Sequence, residues 1–203
     1  MHRAREEGLA ACRATIQAAG RAIRAVHRGQ PEAYRELVAQ AETSVRRAQA
    51  ALAPHPALAA SGFLHDAEKE YAEARLTSAL VSSARGGGDL PAVIPHASTL
   101  GVGLPAWLNG LSEAASELRR HLLDRLREGE LAMAEELLVA MEDVYDLLST
   151  IDYPDAITGG LRRSTDALRG VLERTRSDLT VTLIQARLRG ALERAAGGGA
   201  EGG

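Results

Sequence analysis

Apolar residues return every three or four positions through almost all of this 203-residue chain, and that rhythm belongs to helices. Ile16, Ala19, Ile23 and Val26 keep it near the start, and Trp107, Leu111, Ala114, Leu118 and Leu122 keep it in the middle. Leu131, Ala134, Leu138, Met141, Tyr145 and Leu148 carry it on, followed by Leu161, Leu168, Leu172, Leu179 and Leu183. No alternating run is long enough to seed a sheet, so the fold class is all-α. Glycine and proline punctuate the rhythm and predict helices over about 3–28, 31–53, 57–84, 105–127, 130–150 and 158–194. Gly159 and Gly160 blur the start of the last one, and residues 86–104 read as an extended loop. Six or seven amphipathic helices with short connections make an antiparallel bundle, expected as one domain over 1–194 with a flexible Gly-rich tail at 195–203.

With 45% hydrophobic and 25% charged residues the chain can bury a core, which excludes a disordered or low-complexity class. The one cysteine, Cys12, has no internal partner, so a disulfide scaffold is excluded and a reducing, cytoplasmic setting is expected. In the run Leu9-Ala10-Ala11-Cys12 it reads as a small buried helix residue rather than a reactive thiol. The charged N-terminal run lacks the apolar segment of a signal peptide, and no stretch is apolar enough for a bilayer, so no membrane partner is expected. The net charge of −3 hides a polarised chain. Residues 1–28 hold six arginines against two acids and residues 161–194 eight against four, whereas 128–155 hold nine acids and no Lys or Arg. The acids of that segment read as the solvated face of its helix. Of the 24 basic residues only Lys69 is a lysine, a bias that a GC-rich genome also produces.

Nucleotide-binding, zincin, serine-hydrolase and Cys/His signatures are absent, which turns attention to carboxylates. Glu70 and Glu73 lie three apart on the third helix, and Glu113 and Glu117 four apart on the fourth. Each spacing puts both members on one helix face, and two such helices facing each other would offer oxygen ligands to Mg²⁺ or Mn²⁺. On spacing alone the same pairs also describe ordinary solvated faces. A helical wheel sets Glu70 beside Phe63, Ala74 and Val81, where an unpaired carboxylate is costly, and sets Glu113, Glu117 and Arg120 on the flank of the Trp107 stripe. Nothing in the sequence brings the two pairs together.

Four segments, in this order and spacing, resemble the translin superfamily: AGRAIRAVHRG, EYAEA, WLNGLSEAASELRR and DYPDAITGGLRRSTDALRGVLERTRSDLT. The resemblance spans nearly the whole chain and implies the all-α bundle read above. It also implies a closed oligomer, most often an octamer, that handles nucleic acid inside a hollow shell. Translin itself is a nucleic-acid-binding subunit, while the translin-associated factor X branch is a metal-dependent endoribonuclease acting on single-stranded RNA. That branch has Glu-x-x-Glu followed by Asp-x-x-x-Glu; here Glu70-x-x-Glu73 matches, and Glu113 stands where Asp is expected, one methylene longer.

The nuclease branch is therefore the reading carried forward, with Glu70, Glu73, Glu113 and Glu117 as catalytic and metal-holding residues for one or two Mg²⁺ or Mn²⁺ ions. A carboxylate not bound directly would orient or deprotonate the attacking water. His65 and Asp66, one turn earlier, are candidates for support of the ligands or for plain exposure to solvent. Arg119 and Arg120 are candidates for the scissile phosphate or for helix-surface ion pairs. Arg21, Arg24, His27, Arg28, Arg162 and Arg163 would track single-stranded RNA, or single-stranded DNA, through its phosphates. One Phe, one Trp and four Tyr leave few platforms for base stacking. The assembly is expected as a homo-oligomer, with a paralogous second subunit as the other arrangement. A binding-only shell without cleavage is the alternative function, favoured by Glu113, and a purely structural helical adaptor is the third.

Overall fold

The computed structural model describes residues 1–86 and 90–197, and among these there is no strand. The helices are α1 (His2–His27), α2 (Pro31–Leu52), α3 (Pro56–Ala59), α4 (Phe63–Gly86), α5 (Leu90–Val93), α6 (Ala97–Leu100), α7 (Leu104–Glu128), α8 (Leu131–Ser149), α9 (Asp155–Thr158) and α10 (Leu161–Gly197). Prolines open α2, α3 and α7 within their first turn, where the missing N–H costs nothing. One apolar cluster joins the long helices, with Ala19, Val45, Leu76, Leu118, Met141 and Leu168 fully or almost fully buried in it. No helix among the described residues is long and apolar enough to cross a membrane.

Three expectations are corrected. The third helix was expected unbroken from about residue 57, but the chain stops after α3 and restarts at Phe63, because Gly62 takes a left-handed turn at φ +96°. The stretch 86–104 was expected as loop and holds α5 and α6 instead, with residues 87–89 outside the described ones. The last helix begins at Leu161, beyond the two glycines, and runs to Gly197, so only residues 198–203 of the expected tail are left, and these lie outside the described residues. Within α1, Ile16 is exposed although it fits the helical rhythm, and Thr15 takes the buried place, its hydroxyl donating to the Ala11 carbonyl at 3.0 Å.

The central helix is α4. Tyr71, Ala72, Glu73 and Ala74 are buried in succession, and four consecutive residues sweep most of the way round a helix. Neighbours therefore close it on more than one side: α1, α2, α7 and α8 all pack on it. Its approach to α7 is set by Gly110, where a Cβ would stand 2.9 Å from the Lys69 carbonyl oxygen and 3.1 Å from the Glu73 nitrogen. Across α7, buried Asn109 donates from Nδ2 to the Thr158 carbonyl at 2.8 Å and accepts from the Ser164 hydroxyl at 2.6 Å, which ties the α9–α10 turn to the same part of α7. Arg119 links the middle of α7 to α10, donating to Thr175 at 3.0 Å and to Asp178 at 2.8 Å.

Gly110→Ala should therefore lower thermal stability, by about 1–3 kcal/mol, because backbone rather than a flexible side chain stands in the way. Gly20→Ala, which meets nothing nearer than the tip of Arg24 at 3.7 Å, should gain up to about 1 kcal/mol from helix propensity. Melting curves of the two variants check the contrast, and a stabilised Gly110→Ala would show that the crossing is loose.

Candidate metal centre

The α4–α7 crossing brings together what the sequence left apart. Carboxylate oxygens of Glu70 and Glu73 from α4 and Glu113 from α7 all lie within 4.8 Å of one another. Glu73 is 7% exposed, whereas the Glu70 and Glu113 side chains keep contact with solvent, so the cluster is closed at Glu73 and open at the other two. The wheel sets Glu70 close to the apolar face, and the structure buries Glu73 more deeply than Glu70. A single buried face does not describe this helix: Phe63 packs in a separate small cluster with Ala11, Cys12, Ala48 and Ala67, while α7 packs along α4 at Glu73.

Burial and the charges of Glu113, Glu70 and Glu117 push the Glu73 carboxyl up to about 9, so it holds its proton at neutral pH. Lys69, reaching across from α4, partly offsets these charges. Its ammonium donates to both Glu113 oxygens at 2.7 and 2.6 Å and lies 3.4 Å from Glu70 Oε1. Burial would lower the Lys69 pKa, but the hydrogen bond to Glu113 and the charges of Glu113 and Glu70 outweigh it and raise it.

Glu117 belongs to the same neighbourhood, since its charge acts on Glu73, but its own partner is elsewhere. Its Oε2 lies 2.7 Å from Nε2 of His27 on α1, whose side chain is 3% exposed. That hydrogen bond, which outweighs burial, and the charges of His27 and Arg120 hold Glu117 below the usual carboxylate range. Behind His27 stands buried His121, with the two Nδ1 atoms 3.5 Å apart. One of these two nitrogens donates and the other accepts, as the ring tautomers decide.

Other candidate residues are scattered. His27, grouped by sequence with the phosphate-tracking arginines, is turned inward. Arg21, Arg24 and Arg28 are exposed and form no ion pair among the described residues, as is true of Arg163; Arg162 has only exposed Asp152, 4.0 Å away. Arg119 faces α10, while Arg120 is exposed and near enough to act on Glu117. Asp66 is exposed, and the His65 ring packs over Gly159. Cys12 is buried and free, its thiol pushed up to about 11 by burial and by Glu68 and Asp66, which disfavours the nucleophilic thiolate. Lys69, Gly110 and His121 were missed as contributors. Two signals were there to read: Lys69 is the lone lysine and adjoins Glu70, and His121 follows Glu117 by four residues.

The donor set suits a hard divalent cation: oxygen ligands only, one of them buried in a place that otherwise forces it to stay protonated. Oxygens already gathered across two helices need little rearrangement to converge on an ion.

No family model matches the chain. Two solved structures of AfC3PO, one described as a complex with duplex RNA, are 31% identical to it and cover 92% of it. The chain covers 92% and 93% of theirs, with TM-scores of 0.77 and 0.78. Apo-NeC3PO, 18% identical, shares the fold over 89% of this chain and 90% of its own at a TM-score of 0.76. Among curated proteins, an uncharacterized protein of Methanocaldococcus jannaschii is 35% identical over 88 residues, which are 43% of this chain and 39% of that one.

In metal-free protein the raised Glu73 pKa has a definite sign. Below about 4.5, its ordinary value, folded and unfolded chains both hold the proton. Above it the unfolded chain loses the proton and the folded one keeps it, so the Glu73 contribution to stability declines as pH rises and is lost through about 9. Denaturant midpoints in EDTA at pH 6 and pH 9 should fall more for wild type than for Glu73→Gln. Parallel falls would mean that Glu73 is ionised in the fold.

Proposed function

The chain belongs to the translin superfamily, and on that premise we propose that it is a metal-dependent endoribonuclease cleaving single-stranded RNA inside an oligomeric shell. The observation that carries this reading is the buried Glu73 carboxyl, held among Glu70, Glu113 and Glu117. A shell that only binds RNA has no use for so costly a cluster, whereas a divalent ion turns the cost into affinity.

Glu70, Glu73 and Glu113 would hold Mg²⁺ or Mn²⁺. When bound, such an ion neutralises phosphate charge and makes a water easier to deprotonate. Glu117 stays ionised beside it; its Oε2 is occupied by His27, which leaves Oε1 to orient the water and take its proton. Exposed Arg120 would meet the scissile phosphate, and Arg21, Arg24, Arg28, Arg162 and Arg163 would track the backbone. The duplex RNA of AfC3PO supports an RNA ligand. We infer a preference for single strands from access to a closed shell, with single-stranded DNA as the other candidate ligand.

Assembly is supported by α10. No described residue after Leu179 is buried, yet Val181, Ile184, Leu188 and Leu192 line one side of the helix, 51–62% exposed. A stripe of that spacing fits a further copy of the chain. We propose a closed homo-oligomer, an octamer by resemblance, in which a paralogous subunit could replace some copies. A cytoplasmic setting fits the free buried thiol of Cys12.

A binding-only shell is the second reading, and Lys69 favours it, because its ammonium already bridges Glu113 and Glu70. Labelled unstructured and duplex RNAs, incubated in Mg²⁺, Mn²⁺ or EDTA, separate the two. Single-stranded RNA should be cut only with metal, and Glu70→Gln/Glu73→Gln at matched oligomeric state should lose at least about a hundredfold in rate. RNA bound but intact under every metal condition would establish the binding shell instead. Affinity should fall steeply with salt, and Arg24→Ala should reduce the log–log slope by about 0.7 for a single strand, as expected when one phosphate contact is lost. A flat titration would sink the phosphate-tracking role.

A further inference from the structure

The proposed metal centre already contains a cation, and it is the only lysine in a chain with 24 basic residues. Arginine carries a wide planar fork, whereas lysine presents one compact charge on a flexible four-carbon stem. At this position the compact charge reaches both oxygens of Glu113 on α7 and one of Glu70 on α4, bridging the two helices as a small ion would. The side chain is 19% exposed, so solvent lies within reach of the stem.

We propose that Lys69 is a built-in counter-cation that holds the ligand set in place before the divalent ion arrives and leaves Glu113 when it binds. The inference rests on the metal reading above and deepens it: ion binding is an exchange of one cation for another at the same oxygens. Two cations sharing Glu113 at van der Waals distance would repel each other in a partly desolvated site, so joint occupancy is disfavoured. Lys69 thereby sets the metal concentration at which the centre fills. It guards the carboxylates from mutual repulsion while the centre is empty and weakens the affinity of the ion that displaces it. Lys69 is a positioning residue in this scheme, since its contacts are with the ligands.

Two measurements on the full chain test this. Mn²⁺ binding, followed by loss of the free-ion paramagnetic resonance signal, should be about tenfold tighter for Lys69→Met than for wild type, because the stem is kept and the competing charge removed. Equal or weaker binding by a folded variant overturns the exchange. If wild type binds no Mn²⁺, the metal reading falls and takes this inference with it. The second measurement needs no variant. An amine-reactive ester read by mass spectrometry reports on Lys69, the one lysine of the sequence, with the N-terminal amine as the reference. Saturating Mn²⁺ should raise Lys69 labelling severalfold and leave the N-terminal amine unchanged. Lys69 labelling that does not move in a protein shown to have bound Mn²⁺ means that the ammonium stays on Glu113, and the proposal is wrong.

Discussion

Four carboxylates gathered at one helix crossing repel one another, and much of this structure is arranged around that repulsion. The crossing is tight because Gly110 lets α7 lie against the backbone of α4 at Lys69 and Glu73. Tight packing removes water from Glu73, and loss of water makes its charge unaffordable beside Glu70, Glu113 and Glu117. Two positive charges meet the difference: the ammonium of Lys69 and the proton that Glu73 retains. A lysine ammonium and a retained proton thus stand where carboxylate oxygens from two helices come within 4.8 Å of one another.

The remaining carboxylate is handled differently. Glu117 is set apart by a hydrogen bond to His27, so α1 reaches the site without contributing a ligand. His121, one turn along α7, supports His27 from behind. The cluster thus divides into three carboxylates whose oxygens converge and one whose partner is a histidine on another helix. Away from it, a share of the arginine surplus in the last segment is spent within the fold: Arg176 pairs with Glu142 on α8 at 2.6 Å. Arg21, Arg24 and Arg28 on and just beyond α1 are exposed and have no such partners among the described residues.

Much of the architecture was legible. Helical rhythm and Gly/Pro punctuation locate the long helices to within a few residues, because both act locally, over one or two turns. The breaks that were missed are local too, but ambiguous: Ala60-Ser61-Gly62 continues an alanine-rich rhythm until the backbone at Gly62 turns left-handed. The site was half legible. Glu70, Glu73, Glu113 and Glu117 stand out by spacing, yet spacing describes a solvated face equally well. His27 was grouped with the basic residues because it stands between Arg24 and Arg28 in the sequence, and the fold turns its side chain inward while both arginines stay exposed.

The amino-acid order dictated the all-helical content, most ends of the long helices and which acids share a face, since those follow from neighbours at most four residues apart. It left open which acid is buried, what holds Lys69 and His27, and how near the two acidic helices come. Those depend on how each helix is rotated and on residues 44 or 90 positions away, such as Glu113 for Lys69 and Glu117 for His27. Packing alone brings such distant residues into contact, and a pattern of period 3.6 carries no information about the partner a helix will meet.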